Sequence, residues 1–170
     1  MISEEAFIHP LADVADCDIG PKTRVWQFVV ILAGARIGED CNVCSHVFID
    51  EDVIIGDRVT IKYAAGLGAG LRVGDNVFIG PNVIFPNDPY PRSKVYPDKF
   101  PNTFIEDGVS IGTGTIVMPG IRIGAGSMIA AGSLVRKDVA PLSLMAGNPL
   151  RLVRKLESAA DSGHECLQTR

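Results

Sequence analysis

The amino-acid sequence predicts an all-β fold, a parallel β-helix built from six-residue repeats. Three observations predict it: apolar side chains recur at every sixth position, Ile-Gly or Val-Gly pairs recur every 18 residues, and aromatic residues make up only 6% of the chain. Hexapeptide periodicity is typical of β-helical solenoids. It fits no amphipathic helix, whose apolar positions follow spacings of three and four.

Two positions of each hexad are predicted to point inward. The first holds an apolar side chain in two runs, of twelve and of six members, and the second, four residues later, is small or β-branched except at Leu71. Cys41 occupies this second position, so we expect its thiol in the core, as a small buried hydrophobe, and not in a redox or zinc pair with Cys44. The two runs are Ile19, Val25, Ile31, Ile37, Val43, Ile49, Ile55, Ile61, Leu67, Val73, Ile79 and Phe85, and then Ile105, Ile111, Val117, Ile123, Ile129 and Val135.

The longer period indicates three hexads per coil and therefore a three-sided prism. Glycine follows the inward residue at Gly20, Gly38, Gly56 and Gly74. It would provide either a tight corner or a close approach of two backbones. Stacked strands lie about 4.8 Å apart, so six coils predict a prism roughly 30 Å tall.

Length and charge restrict the remaining possibilities. A chain of 170 residues fits one domain, which we divide into a β-helix over 1–149 and a short helix (150–157) with a polar tail over 150–170. No stretch approaches the ~20 apolar residues of a membrane span, and the N-terminus lacks a signal-peptide pattern, so we expect a cytoplasmic protein without a membrane partner. A net charge of −4 argues against a nucleic-acid partner.

The second run is out of phase with the first because residues 86–104 interrupt the repeats. This segment holds five of the 11 prolines and four of the 11 aromatic residues. A long loop inside a compact domain is usually functional or disordered, and its prolines and aromatic residues argue against disorder. The segment is therefore either a tolerated insertion or a loop that forms a site with a neighbouring subunit.

The start of this loop carries a resemblance to a known family. Residues 85–93 read Phe-Pro-Asn-Asp-Pro-Tyr-Pro-Arg-Ser, which resembles a segment of the sugar-nucleotide 3-N-acetyltransferases, and residues 41–49 and 76–83 are also similar to this group. These enzymes are hexapeptide-repeat acyltransferases. The resemblance implies a left-handed β-helix, a homotrimer with active sites between subunits, acetyl-CoA as co-substrate, no metal, and a dTDP-linked 3-amino-3,6-dideoxyhexose as acceptor.

The resemblance also implies roles for loop residues. Asn87 and Asp88 would lie at the reacting end of the sugar, with Asp88 as the partner of the amino group. The alternative for Asp88 is an Asx turn before Pro89. Tyr90 and Arg92 would pack on the base or contact phosphate, although Arg92 could instead pair with an acidic residue of a neighbouring subunit.

His46 is the main titratable candidate outside the loop. It lies at the fourth position of its hexad, which points outward, and the coil period places Ala64 one coil above it and Asn82 two coils above it. His46 is therefore a candidate general base or substrate contact, or else a surface or subunit-contact residue. Asn82 and Tyr63 are candidate substrate contacts. His9 and His164 are expected to take no part.

Positive charge collects near the C-terminal end. Residues 134–155 carry five basic side chains and one acidic side chain, a net +4, whereas residues 1–133 carry a net −6. Arg136, Lys137 and Arg151 are candidates for binding the phosphates of CoA, and the small residues Ala131 and Gly132 would let the backbone approach its pantetheine arm. The alternative is a basic cap without a ligand.

The chain departs from the family at residues 66–70, where Gly-Leu-Gly-Ala-Gly replaces Gln-Leu-Trp-Asp-Gly. If this wall contacts substrate, the resemblance implies a larger and less polar site. Two other functions stay open: an O-acyltransferase, in which His46 would matter more, and a non-catalytic β-helical scaffold. A γ-type carbonic anhydrase is excluded, because its three zinc-binding histidines would have to meet at an interface and the three in this chain lie too far apart in the coil register.

Overall fold

A computed structural model describes residues 1–161 of the chain, and these residues form 22 short strands and no helix. Most strands have two residues, as expected for one side of a hexad. In chain order they are β1 (Phe7–Ile8), β2 (Asp13–Val14), β3 (Asp18–Ile19), β4 (Arg24–Val25), β5 (Val30–Ile31), β6 (Arg36–Ile37), β7 (Asn42–Val43), β8 (Phe48–Ile49), β9 (Ile54–Ile55), β10 (Thr60–Ile61), β11 (Gly66–Leu67), β12 (Leu71–Val73), β13 (Phe78–Ile79), β14 (Ile84–Phe85), β15 (Thr103–Ile105), β16 (Ser110–Ile111), β17 (Ile116–Val117), β18 (Arg122–Ile123), β19 (Met128–Ile129), β20 (Leu134–Val135), β21 (Ser143–Ala146) and β22 (Arg151–Lys155).

The strands form three sheets, which are the three sides of the predicted prism. Face 1 has the order β1-β4-β7-β10-β13-β16-β19-β21-β22, face 2 the order β2-β5-β8-β11-β14-β17-β20, and face 3 the order β18-β15-β12-β9-β6-β3. Thr60 pairs in parallel with Asn42 on one side and with Phe78 on the other, so each strand pairs with the strands three hexads before and after it. The parallel β-helix with three hexads per coil is confirmed.

Both predicted inward positions lie in one continuous core. All eighteen residues of the two apolar runs are at most 5% exposed. Cys41 is 2% exposed, which confirms that its thiol lies in the core. Burial raises the pKa of this thiol. The buried Thr23 hydroxyl has hydrogen-bond partners for both of its roles. It donates to the carbonyl of Gly38 at 2.7 Å and accepts from the amide of Cys41 at 3.0 Å.

Two kinds of residue form the corners. The fourth position of the hexad adopts the left-handed backbone region even where it is not glycine, with φ of 62° at His46, 58° at Ala64 and 55° at Asn82. The glycines of the Ile-Gly and Val-Gly pairs have a different role. A Cβ at Gly56 would lie 2.8 Å from the carbonyl carbon of Gly74, so these glycines permit close stacking of successive coils.

The inserted loop leaves the prism after β14 and returns at β15. Before the insertion, strand pairing advances by three hexads per coil, as from Asn42 to Thr60. Across the insertion Leu71 pairs with Thr103, so this one coil holds the additional chain and the coils above it keep their stacking. The loop spans 86–102. The predicted boundary of 104 was wrong, because Thr103 and Phe104 belong to β15.

The predicted short helix over 150–157 is wrong. Residues Arg151–Lys155 form β22, which runs antiparallel to β21 and pairs Ser143 with Lys155 and Ala146 with Arg151. The last coil leaves one edge of β21 without a partner, and a returning strand supplies the hydrogen bonds that a helix would not. Residues 162–170 of the predicted tail, including His164, lie outside the described residues. Within 1–161 there is no helix that has the length and apolar character needed to cross a membrane.

Candidate active site

Four corner residues line up where the strands of face 2 begin. Phe28, His46, Ala64 and Asn82 precede β5, β8, β11 and β14, and we call this column the histidine corner. The amide of Ala64 donates to the carbonyl of Ser45 at 3.2 Å, and that of Asn82 donates to the carbonyl of Tyr63 at 3.1 Å. The predicted stacking of Ala64 and Asn82 above His46 is therefore confirmed.

The imidazole of His46 is exposed and rests on an aromatic ring. The ring centroids of His46 and Phe28 lie 5.0 Å apart with an interplanar angle of 45°. Phe28 thus restricts the orientation of the imidazole while the histidine side chain stays exposed. Tyr63, one coil above, is 52% exposed. Sequence reasoning missed Phe28, although its place one coil period before His46 was the signal that marks a stacked neighbour.

A second group of residues, most of them polar, lies where the strands of face 2 end. Asp50 follows β8, Gly68 follows β11, and Asn87 and Asp88 follow β14; we call this group the loop corner. The Asn87 amide nitrogen donates to Oδ2 of Asp50 at 3.4 Å, and the backbone amide of Ala69 donates to the same oxygen at 3.2 Å. Asp50 was not among the residues that the sequence singled out.

Asp88 forms the Asx turn that the sequence left open as the alternative to a contact with the amino group. Its Oδ1 accepts a hydrogen bond from the backbone amide of Tyr90 at 2.8 Å. The side chain is half-buried, and within residues 1–161 no group donates to Oδ2. The turn thus fixes the carboxylate and leaves one oxygen for a ligand. Tyr90 is 84% exposed, and Arg92 is exposed and donates to the carbonyl of Pro91.

The structure does not bring His46 together with Asn87 and Asp88. The histidine corner and the loop corner lie at opposite ends of the same strands, and Asn82 and Asp88 are one full hexad apart. Six residues at about 3.3 Å each separate the two corners by roughly 15–20 Å. A single protomer therefore presents these candidates as two separate groups.

An apolar surface connects the two corners. From β5 to β20 the outward residues of face 2 are aliphatic or aromatic apart from Gly66, and Phe48, Ile84 and Ile116 are 41%, 40% and 42% exposed. Gly66 lies between Phe48 and Ile84 on this surface, and a Cβ there would lie 3.2 Å from Cδ1 of Ile84, so the Ile84 side chain already covers part of the position. The position of Gly68 is filled by the backbone of β14 and of the loop. The larger and less polar site expected from the Gly-Leu-Gly-Ala-Gly segment stays a prediction.

Three of the predicted CoA contacts surround one cavity. Arg136, Lys137 and Arg151 line a space of about 480 Å³ beside the last coil, and Leu134, the outward residue of β20 on face 2, also lines it. The apolar surface of face 2 thus runs up to the basic cavity. The full lining is Leu134, Arg136, Lys137, Asp138, Met145, Asn148, Pro149, Leu150 and Arg151.

The structure does not place Ala131 and Gly132 in that cavity. Both are exposed at a corner, where Gly132 has a φ of 69° and a Cβ would meet no atom within 4 Å. The close approach here belongs to Gly112, whose Cβ would lie 2.5 Å from the amide nitrogen of Ala131. The contact of Ala131 and Gly132 with pantetheine stays a prediction.

A second cavity, of about 390 Å³, lies on face 3 and holds paired charges. Arg72 contacts both carboxylate oxygens of Asp52, at 2.9 and 2.8 Å. Arg122 donates to Glu106 at 2.7 Å and lies 4.4 Å from the ring centroid of Phe104. The hydrogen bond from Arg122 lowers the pKa of the Glu106 carboxyl. Because its cations already have partners, this cavity is a weaker anion site than the one near Arg136.

The described part of the chain offers no group of side chains suited to bind a metal ion. Across 1–161, no three His, Cys, Asp or Glu side chains are grouped closely enough to hold an ion. The groups present are a fixed carboxylate, an exposed imidazole, an apolar surface and a basic cavity. They suit the orientation of an acyl carrier and a nucleophile.

Fold and site together define a hexapeptide-repeat β-helix of the acyl-transferring kind, and comparison with known proteins gives its family. Residues 102–137 match the family described as bacterial transferase hexapeptide (six repeats). Over 150 residues the chain is 47% identical to dTDP-3-amino-3,6-dideoxy-alpha-D-galactopyranose 3-N-acetyltransferase from Aneurinibacillus thermoaerophilus, covering 88% of this chain and 78% of the relative. The chain therefore belongs to the hexapeptide-repeat acetyltransferases, and the predicted resemblance is confirmed.

Two further comparisons add one relative and one protein of similar fold. Galactoside O-acetyltransferase from Lactococcus lactis is 38% identical over 137 residues, which cover 74% of this chain and 65% of that protein. An N-acyltransferase from Bacillus cereus, solved in complex with dTDP and coenzyme A, has a TM-score of 0.62 at 17% identity, with 99% of this chain and 91% of that chain covered. The second likeness shows the fold alone.

Proposed function

We propose that this protein transfers the acetyl group of acetyl-CoA to the 3-amino group of a dTDP-linked 3-amino-3,6-dideoxyhexose. The observation that carries the proposal is the loop corner, where the Asx turn fixes the Asp88 carboxylate beside an apolar surface that ends in a basic cavity. The activity of the relative from Aneurinibacillus thermoaerophilus supports the choice of acceptor.

In the proposed reaction the neutral amine attacks the thioester carbon. A C–N bond forms, the C–S bond breaks, and the proton lost from nitrogen ends on the departing CoA sulfur. Oδ2 of Asp88 accepts a hydrogen bond from the amine and aims its lone pair at the carbonyl, while Asn87 contacts the sugar beside it. Orientation of this kind can supply much of the rate enhancement without a dedicated base.

We further propose a homotrimer whose active sites lie between subunits. The separation of His46 from Asp88 within one protomer supports this, because a neighbouring copy would supply the second group to each site. The exposed side chains of Phe48, Ile84 and Ile116 give face 2 an apolar surface suited to such a contact. The proposed co-substrates, acetyl-CoA and a nucleotide sugar, suit a cytoplasmic enzyme with no membrane or nucleic-acid partner.

Turnover with defined acceptors tests the activity. Purified protein, acetyl-CoA and either a 3-amino or a 4-amino dideoxysugar nucleotide are mixed, and released thiol is followed. We expect thiol release to depend on the acceptor and to favour the 3-amino sugar by about 100-fold in kcat/KM, because the amine must reach a fixed carboxylate. Absence of turnover with any amino sugar would contradict the proposal and favour the scaffold alternative.

Substitutions in the basic cavity test the site of the acyl donor. Arg136→Gln and Arg151→Gln are each expected to raise the KM for acetyl-CoA about 10-fold, since each removes one charge-assisted hydrogen bond to phosphate. The matched control is Arg36→Gln on β6, an exposed arginine at the other end of the β-helix. Equal KM values for all three variants would show that the cavity does not hold CoA.

A hydroxyl acceptor is the second candidate function. It is favoured by the similarity to galactoside O-acetyltransferase and by the exposed imidazole of His46 on Phe28. A hydroxyl needs a general base more than an amine does, and for a hydroxyl acceptor we propose His46 in that role. The thiol assay with a 3-hydroxy sugar nucleotide in place of the amine separates the two functions.

A further inference from the structure

We propose that Asp50 is a positioning residue that holds Asn87, and with it Asp88, against the β-helix. Its kinetic consequences rest on the proposed function, whereas the link itself is a property of the fold. In this proposal Asp50 does not contact the substrates. It acts through Asn87 and Asp88, which are among the first residues of the inserted loop.

The carboxylate of Asp50 joins three successive coils. It follows β8, and its Oδ1 accepts from the amide of Glu51 at 2.9 Å. Its Oδ2 accepts from the amide of Ala69 in the next coil at 3.2 Å and from the side-chain amide of Asn87 in the coil above at 3.4 Å. One half-buried side chain therefore ties the loop to two lower coils.

Gly68 makes this link possible because it lies between Asp50 and the loop. A Cβ at Gly68 would lie 2.5 Å from the carbonyl oxygen of Phe85 and 3.3 Å from the Cβ of Asn87. The first is a backbone atom of β14, and the second is the Cβ of a loop residue. Neither atom can move unless the main chain moves with it. Any side chain at position 68 would therefore displace the residues that Asp50 holds.

No other hydrogen bond within the described residues ties 86–100 to the β-helix. The Asx turn at Asp88 and the contact between Arg92 and Val95 are both internal to the loop. Asp88 directly follows Asn87, so a shift of Asn87 carries the Asp88 carboxylate with it. Misplacement of a reacting group by about 1 Å can cost 100-fold in rate.

Three variants test the link by kinetics. Asp50→Ala is expected to lower kcat for the amino sugar about 10- to 100-fold with the KM for acetyl-CoA unchanged, because only the acceptor end moves. Asp50→Asn keeps one oxygen that can accept from Ala69 and Asn87 and loses only the exposed hydrogen bond from the Glu51 amide, so it should restore kcat to within about 3-fold of wild type. Glu51→Ala, an exposed neighbour in the same coil, is the control and should leave both parameters unchanged.

Limited trypsin digestion tests the bond between Asp50 and Asn87 independently of acetyl transfer, by measuring how readily the loop is cleaved. The loop offers cleavage after Arg92, Lys94 and Lys99, and all three are exposed. Asp50→Ala and Gly68→Ala are expected to speed cleavage at these sites about 10-fold, and Asp50→Asn and Glu51→Ala to leave it near the wild-type rate. This result stands even if the wild-type protein transfers no acetyl group, so failure of the proposed function is seen separately.

Three outcomes would overturn the proposal. One is a wild-type rate of loop cleavage in Asp50→Ala. Another is an equal loss in Asp50→Asn and Asp50→Ala, which would show that the charge of the residue matters and not its bond to Asn87. A drop in acetyl-CoA affinity in Asp50→Ala would also contradict a role confined to the loop.

Discussion

Replacing Asp88 with asparagine is expected to lower the turnover number for the amino sugar by about 100-fold or more. The asparagine keeps a side-chain oxygen for the amide of Tyr90, so the Asx turn and the loop should persist. It replaces Oδ2, the oxygen proposed to accept a hydrogen bond from the attacking amine, with an amide NH2 group that can only donate, and it removes the negative charge. Steady-state kinetics on the thiol-release assay measure the effect, and the unfolding temperature of the variant should match that of the wild type.

Two companion variants separate the roles that Asp88 combines. Asp88→Ala removes both the turn and the charge, so full activity in Asp88→Asn with loss in Asp88→Ala would reduce Asp88 to a turn residue. His46→Asn places at φ 62° the residue type that Asn82 already has at φ 55°, which keeps the corner intact. A loss of rate confined to the aspartate variants would remove His46 from the mechanism.

Replacing Gly56 with alanine is expected to lower the free energy of unfolding by about 3 kcal/mol. The added Cβ would lie 2.8 Å from the carbonyl carbon of Gly74, so two coils would have to separate along a fully packed core. For a chain of this size the loss corresponds to a fall of about 10 °C in Tm. Thermal unfolding at one fixed protein concentration measures it, since assembly would make Tm depend on concentration.

The matched control for Gly56 is a glycine that is needed only for its backbone angle. Gly114 has a φ of 68°, and a Cβ there would meet no atom within 4 Å. Gly114→Asn is therefore expected to cost no more than about 1 kcal/mol, because asparagine tolerates the left-handed region. Similar losses in the two variants would show that close coil stacking is not what position 56 requires.

The sequence predicted the interior of the β-helix because one short period repeats through it. Each hexad meets the same environment, so the burial of Ile61 or Val109 follows from counting by six. The end of the repeat carries no such signal. The hairpin of β21 and β22 forms because the last coil offers a free edge, and a short basic segment with Leu152 and Val153 does not reveal this partner.

For a related reason, the sequence predicted the histidine corner of the candidate site but missed a contact in the loop corner. His46 and its neighbours at 64 and 82 follow from the coil period, and Phe28 was available from the same count. The bond from Asn87 to Asp50 joins residues 37 apart, at the point where the chain leaves the repeat. It depends on where the loop turns and on the absence of a side chain at Gly68, which lets the loop lie against that position, and periodicity describes neither.

Leu134 lies both at the top of face 2 and in the wall of the basic cavity. The height of the β-helix therefore sets the distance between the loop corner and this cavity. From β14, where the loop begins, two further strands of face 2 lead through β17 to β20. At about 4.8 Å per coil they span about 10 Å. The number of coils, set by backbone pairing, thus fixes how far the basic cavity lies from Asp88. Under the proposed function, one more coil between them would carry the thioester away from the amine without altering any side chain of either group.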